Sequence, residues 1–151
     1  MATIQQLEDL FGEPFFDYQL EAFRNWEHKN LQRMCLYYRT GAGKSRTALS
    51  MLALRGYKEA VVIAPPVTHA AWRDLGSKIG IYVETMSHAS FRKRGTVLRR
   101  NLPVIADEFH RFGGHAGVGW NKLDKLAGGL RAPLILCSAT PNYNDAERCY
   151  C

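Results

Sequence analysis

The chain has 151 residues, 46% of them hydrophobic and 23% charged, which is room for one domain with its own core but not for two, and which excludes a disordered or low-complexity polypeptide. A net charge of +6 favours a polyanionic partner. No stretch approaches the roughly 18 apolar residues of a membrane span and no basic-then-apolar leader opens the chain, so a cytoplasmic location, in a host cell if the protein is viral, is expected.

In chain order, Tyr18 to His28 reads as a helix and Arg33 to Tyr38 as a strand, followed by a glycine-rich turn that opens a helix over Lys44 to Leu54. A strand from Ala60 to Ala64 leads past Pro65 and Pro66 into a helix from Thr68 to Lys78, and a third strand covers Ile81 to Thr85. Next come a helix over Ser90 to Arg100 weakened by Gly95, a strand from Pro103 to Ala106, and a loop marked by Gly113, Gly114, Gly117 and Gly119. A helix over Gly119 to Ala127, a strand from Leu134 to Cys137 and a helix starting near Asn144 complete the set. Strands alternating with helices predict a parallel sheet, and strands apolar at consecutive positions predict helices on both of its faces. The expected fold is a single three-layered α/β domain over residues 1–151, with ligands at the carboxyl ends of the strands.

The chemistry-bearing residues fall at those ends. Thr40, Gly41, Ala42, Gly43, Lys44 and Ser45 stand between a strand and a helix, the context in which a Gly-Lys-Ser match is a phosphate-binding loop. Gly41 and Gly43 free the backbone to aim successive N–H groups at phosphate oxygens. Lys44 would reach the β- and γ-phosphates of ATP, the Ser45 hydroxyl would ligate Mg²⁺, and the helix N-terminus favours the anion. Tyr38 stands where the full pattern has its first glycine. Further on, Asp107 and Glu108 follow an apolar strand directly. Asp107 is positioned to hold Mg²⁺ and Glu108 to polarise an attacking water, which makes Lys44, Asp107 and Glu108 the candidate catalytic group. Cys35 and Cys137 read as small buried thiols, and Cys149 and Cys151 lack the partners of a zinc site.

With these residues in hand, the chain resembles superfamily 2 helicases and translocases along nearly its whole length. Asp107-Glu108-Phe109-His110 is similar to their motif II in its DEAH-like form, and Thr40 to Ser45 to motif I. Phe16 to Phe23 resembles the Q motif, which implies that Gln19 reads the adenine edge. Ala64 to Val67 with Trp72 is similar to motif Ia, Thr85 to His88 stands where motif Ib is expected, and Ser138-Ala139-Thr140-Pro141 resembles motif III. The resemblance implies a RecA-like ATP-binding lobe in which His110, Ser138 and Thr140 couple hydrolysis to nucleic-acid contact. It also implies a second RecA-like lobe bearing motifs IV to VI, in a longer protein or on a separate chain, since those motifs are not found here.

By the same resemblance, Pro66, Thr68, His69, Ser87 and His88 would grip the backbone of one strand of DNA or RNA, DNA being favoured. Arg92, Lys93 and Arg94 follow directly and would neutralise phosphates without reading bases. Trp72, beside Ala70, Ala71 and Leu75, reads as core packing. Two other functions compete with a motor: a stand-alone module whose nucleotide occupancy regulates a partner without appreciable turnover, and a small P-loop kinase, which leaves Ser138 to Pro141 and the DEFH stretch unexplained.

Overall fold

The computed structural model describes residues 1–94, 101–112 and 117–139, with only the backbone of Arg94. The first element, helix α1 (Ile4–Phe11), has no counterpart in the sequence reading. Its ends are chemically specified: the Thr3 side chain accepts from the Gln6 N–H, the Gln6 side chain accepts from the Thr3 N–H, and Gly12 closes the helix in the left-handed conformation at φ 76°. The other expected elements are present within a few residues: α2 (Asp17–His28), β1 (Arg33–Tyr37), α3 (Lys44–Leu54), β2 (Glu59–Ile63), α4 (His69–Lys78), β3 (Tyr82–Met86), α5 (His88–Arg94), β4 (Val104–Asp107), α6 (Val118–Gly129) and β5 (Leu134–Ser138). Short 3₁₀ turns at Pro66–Thr68 and Phe109–Phe112 precede α4 and follow β4. Helix α5 begins two residues before the expected Ser90 because the Ser87 hydroxyl accepts the Ser90 N–H at 3.0 Å and caps it. The helix expected near Asn144, the part of the Ser90 to Arg100 helix from Gly95 onward, and Gly113 and Gly114 of the expected loop lie outside the described residues.

Among the described residues five strands, all parallel, form one sheet in the order β1-β5-β4-β2-β3. Their faces alternate. Ala60, Val62, Ile105, Ile135 and Cys137 face one core with α1 to α4, while Val61, Ile63, Val104, Ala106 and Leu134 face a second core with α5 and α6. This is the three-layered arrangement expected, and each large side chain so buried contributes roughly 1.5–3 kcal/mol. Coverage thins at the edges, where Tyr37 and Tyr82 are exposed. Helix α3 is buried from Arg46 to Leu54 and acts as the central pillar of its layer. Trp26 of α2 pins it by donating its indole N–H to the Met51 carbonyl at 3.0 Å, and Arg55 lies 3.7 Å over the Trp26 ring.

Register decides where the site can form. Tyr37 pairs with Ser138 and Asp107 with Cys137, so the carboxyl ends of β1, β5 and β4 lie level and their following loops share one rim. Among the described residues no helix is long and apolar enough to cross a membrane.

Candidate nucleotide-binding site

Strand β1 releases the chain into the candidate phosphate loop, where Gly41 and Gly43 take φ 80° and 77°. These are conformations that side chains resist, so both glycines are required by backbone geometry. Tyr38 is not among the positive-φ residues, so the first glycine of the full pattern has no conformational task here. Its ring instead packs edge-on against Tyr18, with centroids 5.0 Å apart, and its hydroxyl is pushed up to about 12, first by burial and then by Tyr18. Tyr18 in turn donates its hydroxyl to the Ala42 carbonyl at 2.8 Å. Two aromatic residues thus clamp the loop from the side of α2. Lys44 Nζ folds back to within 3.4 Å of the Tyr38 carbonyl, and Thr40 is exposed.

Gln19 is buried, at 1% exposure. Its Oε1 accepts the Phe16 N–H at 3.0 Å, and its Nε2 donates to Thr47 Oγ1 at 2.8 Å and reaches the Gly43 carbonyl at 3.5 Å. Thr47 Oγ1 also donates to the Gly43 carbonyl, at 2.9 Å. The amide expected to meet a base is occupied by Gly43 and Thr47, because the N-terminus of α2 packs behind the glycine-rich loop.

Opposite the loop, Asp107 ends β4. Its Oδ1 accepts the Glu108 N–H at 2.9 Å and its Oδ2 accepts the Trp72 indole N–H at 3.3 Å. Burial raises its pKa above the ordinary carboxylate range; the Glu108 charge adds to the rise, while the two hydrogen bonds and Lys44 oppose it. Glu108 turns the chain at φ 51°, and its carboxylate lies 3.1 Å from His110 Nε2. A carboxylate only accepts, so that nitrogen carries a proton, and Nδ1 lies 3.1 Å from the Ser138 hydroxyl. Glu108, His110 and Ser138 form one chain of contacts from β4 to β5; Thr140 lies outside the described residues.

These groups surround a cleft of about 500 Å³ lined by Gly41, Gly43, Lys44, Ser45, Asp107 and Glu108, a volume within the usual range for small-molecule sites. Phe11, Glu13, Arg46, Leu75 and Lys78 complete it, none of them singled out from sequence. Arg46 sits between the Phe11 and Phe15 rings, 4.6 and 4.2 Å from their centroids, and pairs with Glu13 Oε1 at 2.8 Å. The legible signal was the capped helix α1, which brings Phe11 and Glu13 to the cleft. Ser45 and Asp107 offer a hydroxyl and a carboxylate beside Lys44, an oxygen donor set that fits Mg²⁺. A second, mainly apolar cavity of about 360 Å³ lies at the opposite end of β1 and β5, lined by Arg33, Met34 and Leu134.

The expected nucleic-acid contacts divide. Pro66, Arg92 and Lys93 are exposed, and Thr68, His69 and Ser87 are half-buried at the ends of β2 and β3. His88 is buried, packs edge-on against Phe112 and donates Nε2–H to the Asp107 carbonyl at 2.9 Å. Burial lowers its pKa, which favours the neutral ring. It supports the acidic strand from within, because the Ser87 cap starts α5 early and turns residue 88 inward. Arg92 donates to the Arg111 carbonyl, and Lys122 to that of Arg92, so the basic residues of α5, the following turn and α6 form one surface. The side chain of Arg94 lies outside the described residues.

No protein-family profile matches the chain, and no curated protein matches it in sequence. Solved structures do match. The helicase domain of Hef from Pyrococcus furiosus superposes with a TM-score of 0.62 over 93% of this chain at 14% sequence identity. The matched region is 36% of that structure's chain, so this protein spans little more than a third of it. At such identity the shared property is the architecture: this chain folds as a RecA-like α/β domain of the kind seen in that helicase.

Proposed function

We propose that this chain is the ATP-binding motor lobe of a superfamily 2 helicase or translocase, working on DNA or RNA together with a second RecA-like lobe. The observation that carries this reading is the convergence, on one rim of the sheet, of the phosphate loop, the Asp107–Glu108 pair and the Glu108–His110–Ser138 chain. A fold alone supports many functions, whereas this arrangement matches the needs of phosphoryl transfer. Gly41, Gly43 and the start of α3 would cradle the phosphates, Lys44 would offset their charge, and Ser45 with Asp107 would hold magnesium. When bound, that ion supplies charge stabilisation to the transferred phosphoryl group. Glu108 would orient the attacking water. His110 holds the same carboxylate and touches Ser138, so displacement of β5's end by nucleic acid or by the second lobe would be felt at the water-orienting group.

The test is calorimetric titration of Mg-ATP into wild type and Lys44→Ala, followed by turnover assays with single-stranded DNA, RNA and the second lobe added in turn. Lys44-dependent binding with polynucleotide-stimulated turnover is expected. Equal binding by the two proteins would overturn the phosphate cradle. Binding without turnover under any combination would favour a regulatory nucleotide-binding module.

A further inference from the structure

Asp107 is held from behind by two residues that lie outside the cleft lining. Trp72, on the first turn of α4 and 2% exposed, donates its indole N–H to Oδ2, and His88 at the start of α5 donates to the backbone carbonyl of the same residue. The torsion that turns an aspartate carboxyl group is soft, so an unrestrained carboxylate at a strand end samples many planes. Here the Glu108 N–H takes one oxygen and the indole the other, which holds the carboxylate plane while each oxygen keeps a lone pair for a metal-bound water.

We propose that Trp72 is a positioning residue for the magnesium carboxylate, orienting Asp107 toward the ion through its indole N–H. Outer partners of ligating groups commonly matter about 10–100-fold in metal affinity. A tryptophan that served only to fill the core would be replaceable by any aromatic ring of comparable bulk, whereas this role needs the N–H. The inference rests on the nucleotide-binding reading above, and the measurement separates the two.

Binding of a fluorescent ADP analogue is titrated against free Mg²⁺ in wild type and Trp72→Phe, with thermal melting as a control for folding. The expected result is nucleotide affinity in EDTA alike within about twofold, with the Mg²⁺ midpoint of the variant raised about tenfold or more. An unchanged midpoint would overturn the role of Trp72 and leave the nucleotide site standing; absence of nucleotide binding by wild type would overturn both. Should Trp72→Phe not fold, the indole ¹H–¹⁵N signals of wild type, one from each of three tryptophans, provide the readout. Saturation with Mg²⁺ and ADP must shift the signal that Asp107→Asn also shifts, and an unmoved signal overturns the proposal.

Discussion

At Glu108 both backbone and side chain are committed to one arrangement. A non-glycine residue at φ 51° costs on the order of 1–3 kcal/mol, which its neighbours offset: its N–H donates to Asp107 Oδ1, its carbonyl accepts from Arg111 and its carboxylate meets His110. Glu108→Gln keeps the shape and removes the charge, so Mg-ATP affinity is expected to stay within about twofold while turnover of the assembled motor falls by about 100-fold or more; calorimetry and single-turnover kinetics check the two halves. Gln19 calls for a different comparison. Because its amide is bonded to Thr47 and the phosphate loop, Gln19→Ala should weaken ATP, GTP and inorganic tripolyphosphate by a similar factor, about tenfold for the loss of roughly 1–1.5 kcal/mol. A loss confined to ATP would make Gln19 a reader of adenine after all. Asp107 carries a buried charge whose pKa is raised in the fold, so its ionisation costs stability as pH rises through the ordinary carboxylate range to the raised value. In EDTA, Asp107→Asn is therefore expected to melt higher than wild type at neutral pH, by about 0.5–2 kcal/mol of stability. The difference should shrink on acidification below that range, as melting curves across pH would register.

Elements meet here through small residues at tight crossings. Gly76 lies where α4 crosses the β3 side of the sheet, and a Cβ built there would stand 2.4 Å from Val83 Cγ2 and 2.7 Å from the Ile81 carbonyl. The carbonyl belongs to the backbone and cannot rotate aside, so α4 must lift. Gly76→Ala is expected to destabilise the fold by about 1–3 kcal/mol despite the better helix propensity of alanine. Urea unfolding measures it, and a variant as stable as wild type would mean that α4 has slack against β3. The same helix carries Trp72 at its other end, so a shift of α4 would also loosen Asp107.

On the function proposed above, the molecule as a whole is one lobe of an engine that works in company. A superfamily 2 motor completes its site with arginines from the second lobe, and in related phosphoryl-transfer sites such an arginine is worth roughly 10³–10⁵ in rate. The 151-residue chain alone is therefore expected to bind ATP weakly and hydrolyse it very slowly, its cleft open to water on one side. Turnover of the purified monomer, with Lys44→Ala as contamination control, decides this. Rapid Lys44-dependent hydrolysis by the monomer would remove the need for a second lobe.

Local chemistry was enough for much of this protein. Glycines at 41 and 43 before Lys44, two carboxylates after an apolar strand, and apolar runs punctuated by turns each act within a few residues, so the parallel α/β fold and these residues that line the candidate cleft were legible from the chain alone. Helix α1, absent from the sequence reading, is marked by the Thr3–Gln6 cap and Gly12. Other assignments depend on contacts between residues far apart in sequence. Gln19 and His88 match motif positions that face ligands in the resembled family, yet their surroundings, Thr47 and Gly43 for one and Asp107 and Phe112 for the other, turn both inward. Trp72 looked like core and is core, but the atom it meets is the Asp107 carboxylate 35 positions away. Residue type and spacing determined which chemistry was present; strand order and register decided which groups meet, because hydrogen-bond partners across a sheet are set by the packing of whole elements.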